Sequence, residues 1–201
     1  MSQTKYIIGS DEVGLGALAG PLFVCAVAVP ENWQSPAGLT DSKKLTPFDR
    51  ARIYGEGLQR LPMFIASAEN VLIDDLGISD VLMHSHREAI KALLETFPDA
   101  DIVIDGVRRP DGLPSRARCV PRADSLFPAV SAASVIAKVN RDFVMRQYHE
   151  LFPHYGWDTN MGYPAKAHKE GLKKYGVTYL HRRSYAPIKK LLEEACTSTA
   201  T

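Results

Sequence analysis

Cysteine is scarce in this 201-residue chain, and Cys25, Cys119 and Cys196 are an odd number without Cys-x-x-Cys spacing. That pattern signals neither a disulfide framework nor a thiolate zinc site. No run reaches the roughly 18 consecutive apolar residues of a membrane helix. The opening MSQTKYIIGS also lacks the basic, apolar, small-residue order of a secretory signal. These absences predict a cytoplasmic chain with no membrane partner. The six histidines show no metal-ligand spacing, since His84 and His86, two apart on a helical stretch, fall on different faces. No internal repeat or low-complexity segment is present.

Net charge is only +1 and by itself says nothing about nucleic acid, but the charges are unevenly distributed. Ser67 to Asp105 carries nine acidic residues against Arg87 and Lys91, whereas Lys138 to Lys190 carries eleven Lys or Arg against four acidic residues. Such asymmetry suits a chain with one region facing a polyanion, and equally a set of solvated helix faces. At 45% hydrophobic, 201 residues suffice for one domain with a sizeable core.

The most informative stretch is YIIGSDEVGLGALAGP, Tyr6 to Pro21. Strand-forming Tyr6, Ile7 and Ile8 lead to adjacent carboxylates, Asp11 and Glu12, and then to Gly14, Gly16 and Gly20. Alternation along a strand points Asp11 and Glu12 to opposite faces unless the backbone turns. Taken alone, the stretch reads first as a strand entering a loop, with Asp11 as a turn former. The glycines do not follow the GxGxxG order of a dinucleotide site.

Leu22 to Val29, LFVCAVAV, suits a strand buried on both faces and paired antiparallel with Tyr6 to Ser10. Thr46 caps a helix with Pro47 at its first position, predicted to run to about Leu61. Met63 to Val71 reads as a third strand, and Ile78 to Phe97 as an amphipathic helix. Asp101 to Asp105, DIVID, is a short strand ending in Asp-Gly, and Cys119-Val120 another. Asp124 precedes a helical pattern from Pro128 to Phe152, whose Ser131, Ala132, Ala133, Ser134 and Ala137 allow close packing or close approach of a ligand. A basic helix within Gly162 to Gly176 and a last helix from Tyr185 to Ala195 complete the reading. Residues 197–201 are expected to fray.

Strand and loop ends thus offer Asp11, Glu12, Asp105 and Asp124. Four carboxylates in one place repel unless cations neutralise them. Oxygen-only ligand sets favour Mg²⁺ or Mn²⁺. Two such ions can activate water and stabilise the leaving oxygen of a phosphodiester. Asp142, on a helix beside Arg141, is expected to be ion-paired or solvated.

DEVGLGALAGP, DSKKL, IDG, the run AD followed by PAVSAASVIAKVNRD, and GYPAKAH through HRRSYAP resemble, in order and over nearly the whole chain, the motifs of bacterial ribonuclease HII. The resemblance implies an α/β, ribonuclease H-like fold. Its mixed central sheet is flanked by helices, with a single catalytic domain over residues 1–196 and a C-terminal helical extension from about residue 150. It implies metal-dependent cleavage of the RNA strand of RNA/DNA hybrids and of ribonucleotides embedded in duplex DNA, leaving 5′-phosphate and 3′-hydroxyl ends. It further implies a monomer with Asp11, Glu12, Asp105 and Asp124 as catalytic, metal-binding carboxylates. Gly14, Leu15 and Gly16 would read the ribose 2′-hydroxyl, Tyr163 would pack on the next sugar, and Lys43, Lys44, Lys138 and Arg141 would contact phosphates. His181 would be structural.

The sequence departs from the family pattern at Leu15, where an arginine is usual, at Ala123, where glycine is usual, and at Ala165, where threonine is usual. Two alternatives remain open at this level. One is a same-fold nuclease requiring several ribonucleotides; the other is a nucleic-acid-binding relative that no longer cuts. Convergence of the four carboxylates is the feature that separates a nuclease from the relative that no longer cuts.

Overall fold

A computed structural model describes residues 4–198, with Ser198 placed only as the end of the last helix. Strand β1 (Tyr6–Val13) pairs antiparallel with β2 (Leu22–Pro30), and LFVCAVAV is buried along its length, as expected. Helix α1 (Pro47–Glu56) starts where predicted, with the Thr46 hydroxyl accepting from Asp49 N. It stops short of Leu61: the glycines of YGEG favour helix poorly, and Leu58–Arg60 forms a separate 3₁₀ turn.

Strand β3 (Met63–Ala68) also ends early, because Val71 belongs to helix α2 (Asn70–Leu76). Gly77, at φ +81°, closes that helix by donating to Ile73 O at 2.9 Å. Val71 and Leu72 are exposed, so their apolar character reflects neither a strand nor a core. Helix α3 (Ile78–Leu94), β4 (Asp101–Asp105), β5 (Ala117–Val120) and α4 (Pro128–Leu151) lie within a few residues of their predicted bounds. The short helix α5 (Trp157–Asn160) has no counterpart in the sequence reading, and α6 (Lys166–Tyr175) and α7 (Ala186–Ser198) follow. Of the stretch expected to fray, Thr197 and Ser198 finish α7, and 199–201 lie outside the described residues.

The chain groups into two compact units. The first comprises the residues up to Val13, Phe23–Ser67 and Leu82–Asn140. It holds a mixed five-stranded sheet in the order β3-β2-β1-β4-β5, antiparallel between β1 and β2 and parallel from β1 through β4 to β5. Its core packs Cys25, Val27 and Val29 with Ile53, Leu58 and the small residues of α4. Those small residues serve close packing: a Cβ on Gly9 of β1 would lie 2.3 Å from the Ala129 carbonyl carbon.

The second unit comprises Gly14–Leu22, Ala68–Val81 and the residues from Arg141 onward. Leu18, Ala19, Met145, Tyr155, Trp157, Met161, Leu172, Leu180 and Ile188 form its core. Fully buried Trp157 has the largest side chain there, and truncating such a residue typically costs about 3–5 kcal/mol.

Candidate active site

The register of the parallel strands assembles the site of the first unit. β1 and β4 pair Ser10 with Ile104, so the next residues, Asp11 and Asp105, come side by side at the same strand ends. β4 and β5 pair Asp105 with Val120, and the chain leaving β5 turns through the 3₁₀ segment Ala123–Ser125, which carries Asp124. Three parallel strands thereby deliver one carboxylate each at their C-terminal ends, the usual location of ligand sites in α/β sheets. Asp11, Asp105 and Asp124 each place an oxygen within 4.8 Å of the other two. The turn is fixed by Asp105 Oδ1, which accepts from Ala123 N at 2.8 Å, and by Arg122 in the left-handed region at φ +59°. Ala123 thus takes the place of glycine with its own backbone N–H engaged.

The cluster is electrostatically strained as it stands. Burial, then the charges of Glu12 and Asp105, pushes Asp11 up to about 8 from its ordinary 3.8. Burial, then Asp41 and Asp105, also raises Asp124, with Lys43 opposing. Asp11 Oδ1 accepts from Glu12 N at 2.8 Å, but Oδ2 is buried without a hydrogen-bond partner among the described residues. The nearby Ser134 hydroxyl tempers the Asp11 shift, although the hydrogen bond it donates runs to Ser42 Oγ at 2.9 Å. An orphaned carboxylate oxygen among three converging hard-oxygen donors fits a divalent cation of the Mg²⁺ or Mn²⁺ type.

Glu12 is not among the converging three. Strand alternation turns it from Asp11, and its Oε2 lies 3.4 Å from Nε2 of His86 on α3. Its charge still acts on both Asp11 and Lys43. His86, set aside in the sequence because its spacing from His84 puts the two on different helix faces, takes its meaning here from Glu12 instead.

Asp41, the first residue of DSKKL, was likewise passed over in favour of the lysines behind it. It caps the turn Ser42–Lys44 by accepting from Lys43 N at 2.9 Å, and it bears on Asp124. Buried Arg50 ties the same loop down, donating to Ser42 O and Leu45 O. Burial works to lower the Lys43 ammonium, but Asp11, Asp41, Asp124 and Glu12 outweigh it and raise it. Exposed Lys44 donates to Ser125 Oγ at 3.2 Å, next to Asp124 in sequence. Lys138 lies half-buried on α4.

In the second unit the GLG loop is held by its backbone. Gly14 N donates to the Tyr163 hydroxyl at 3.1 Å. Gly14 sits at φ +98°, and a Cβ there would lie 2.3 Å from Arg141 Nε, so glycine is required. Leu15 is 41% exposed, and its carbonyl accepts from Arg182 Nη1 at 3.1 Å and from the Tyr185 hydroxyl at 2.6 Å. A Cβ on Gly16 would meet only the Tyr163 ring, at 4.0 Å.

Arg141, expected at a phosphate, is instead fully buried. Its guanidinium donates to Pro21 O at 2.9 Å, Met161 O at 2.8 Å and Ala19 O at 3.3 Å, and lies 5.5 Å from the Tyr163 ring centroid. Burial lowers it to about 10, and its donors serve the fold. Asp142 beside it is buried too, so of the two expectations, ion-paired or solvated, solvation does not hold, and its charge acts on Arg141.

Tyr163 is anchored from behind by two buried histidines. Thr178 N donates to His181 Nδ1 at 2.9 Å, so His181 Nε2 carries the hydrogen that meets His168 Nε2 at 3.1 Å. His168 Nδ1 then donates to Tyr163 O at 3.0 Å. Burial lowers both rings, taking His181 down to about 3.

A family model described as Ribonuclease HII matches residues 8–188. Ribonuclease HII of Jannaschia sp. (strain CCS1) is 41% identical over 186 residues, covering 92% of each chain. Among solved structures, ribonuclease H2 from Pyrococcus horikoshii OT3 superposes with a TM-score of 0.73 at 23% identity, over 94% of this chain and 98% of that one. Bst-RNase HIII in complex with Mn²⁺ gives a TM-score of 0.75, also at 23% identity, over 96% and 70%. The two structures establish the ribonuclease H-like fold.

Proposed function

This chain belongs to the ribonuclease HII family, metal-dependent ribonuclease H endonucleases acting on RNA/DNA substrates, and we propose that it cuts both continuous RNA/DNA hybrids and ribonucleotides embedded in duplex DNA. The observation that carries this reading is the convergence of Asp11, Asp105 and Asp124. It favours a working nuclease over a binding module that no longer cuts.

In this reading Asp11, Asp105 and Asp124 hold Mg²⁺ or Mn²⁺, with Glu12 as the fourth carboxylate. The Mn²⁺ in the Bst-RNase HIII structure supports the choice of ion. Two such ions, when bound, supply an activated water and a counter-charge for the leaving 3′ oxygen, which yields 5′-phosphate and 3′-hydroxyl ends. Backbone groups of Gly14 and Gly16 meet the 2′-hydroxyl, the group that separates RNA from DNA, and Tyr163 packs on the neighbouring sugar. Lys43, Lys44 and Lys138 contact phosphates, which gives affinity and register without sequence preference. Residues 1–196 serve this one reaction, and the protein acts as a cytoplasmic monomer.

A second reading, a preference for several consecutive ribonucleotides, is favoured by Leu15. Its exposed apolar side chain brings no phosphate donor to the loop. One assay separates the two: cleavage of a labelled duplex with a single ribonucleotide and of a continuous hybrid, with Mg²⁺ or Mn²⁺ and with EDTA. Metal-dependent cutting beside the lone ribonucleotide supports the first reading. Cutting of the hybrid alone supports the second, and no cutting of either overturns both.

A further inference from the structure

Behind Glu12 runs a chain of polar contacts that hydrolysis as described leaves unused. Ser10 and Glu12, two apart on β1, face the same side of the sheet, opposite Asp11. Fully buried Ser10 donates from Oγ to Cys25 O on β2 at 3.0 Å, and the same Oγ lies 2.8 Å from His86 Nδ1. His86, on α3, is 1% exposed, and its remaining nitrogen, Nε2, faces Glu12 Oε2 at 3.4 Å. Glu12, with its side chain 21% exposed, is the member of the chain that meets solvent. A buried imidazole needs partners for both nitrogens. Here one nitrogen is fixed to the sheet and the other is presented to a carboxylate at the edge of the cluster.

We infer that His86, pinned by Ser10, is a positioning residue that fixes the orientation of the Glu12 carboxylate for metal binding. The inference rests on the reading that Glu12 is the fourth metal-binding carboxylate. Removing an outer partner that orients a ligand typically lowers metal affinity by about 10–100-fold.

The test is calorimetric titration of the full chain with Mn²⁺ alone, with a thermal melt of each variant in EDTA. His86→Leu, apolar and comparable in bulk, is expected to weaken Mn²⁺ binding about tenfold. His86→Gln, which keeps a polar group facing Glu12, should recover most of that loss. Should His86→Leu fail to fold, Ser10→Ala reports instead: it leaves the imidazole in place but unpinned, and should also weaken Mn²⁺ binding. Glu12→Gln should weaken binding by itself, and adding His86→Leu to it should cost nothing more, because contacting residues in one network are not additive.

Unchanged affinity in His86→Leu, or in Ser10→Ala where that variant reports, beside a weakened Glu12→Gln overturns the inference and leaves the role of Glu12 standing. A fully additive loss in the double variant also overturns it. Unchanged affinity in Glu12→Gln overturns both the inference and the assignment beneath it.

Discussion

Replacing Asp11 by asparagine removes the charge that the metal-free fold tolerates least. Folding raises this carboxyl from 3.8 to about 8, so the folded state binds its proton more tightly than the unfolded chain does. The group's contribution to stability is therefore complete below pH 3.8 and is lost as pH rises toward 8. From 3.8 to pH 7 is about three pH units, worth about 4 kcal/mol at 1.36 kcal/mol each. A buried asparagine offsets part of this, because its amide N–H groups need partners, at about 1–3 kcal/mol. The net gain is about 2 kcal/mol, or about 4–8 °C in Tm for a chain of this size. Melts in EDTA should place Asp11→Asn above the parent at pH 8 and level with it or below at pH 4. Saturating Mn²⁺ should reverse the order at pH 8, because binding to the folded state stabilises only a chain that retains the ligand. An equal Tm difference at both pH values, or a variant less stable at pH 8 in EDTA, would refute the reasoning.

Two further substitutions test the proposed phosphate contact of Lys43 against the structural role of Arg141. Lys43→Ala should reduce the slope of log affinity against log salt for an RNA/DNA hybrid by about one, with little change in Tm. Arg141→Met should leave the salt slope unchanged but lower stability by about 3 kcal/mol or more, since three backbone carbonyls lose their donor; an unchanged melt beside an altered salt slope would restore Arg141 to the phosphate contacts. Leu15→Arg should raise kcat/KM at a single embedded ribonucleotide by supplying the missing donor, and an unchanged value removes that account of the loop.

Much of this was legible in the sequence because it depended on local chemistry. The strand runs YIIGS, LFVCAVAV and DIVID, the Thr46-Pro47 helix start, and the aspartates at strand ends each announce themselves through a few neighbouring residues. What escaped depends on partners distant in the chain. Val71 looked like strand until Asn70, which donates to Tyr179 O at 2.8 Å and His181 O at 3.3 Å, anchored a helix there. Arg141 looked like a surface phosphate contact because no sequence pattern discloses three buried carbonyls converging on one guanidinium. His86 and Asp41 were passed over for the same reason: their meaning lies in Glu12, 74 residues away in the chain, and in Asp124, 83 residues away. Four converging carboxylates were expected, but without a backbone turn at Glu12 strand alternation keeps it apart from Asp11, and the register of β1 against β4 explains why Asp11 joins Asp105.

The decisive experiment is anomalous scattering from crystals of the full chain grown with Mn²⁺. A metal peak in contact with carboxylate oxygens of Asp11, Asp105 and Asp124 is expected, lost in Asp124→Asn together with cleavage of the hybrid. A metal held elsewhere, with those three aspartates metal-free under conditions where the protein still cuts, would contradict the assignment of the active site.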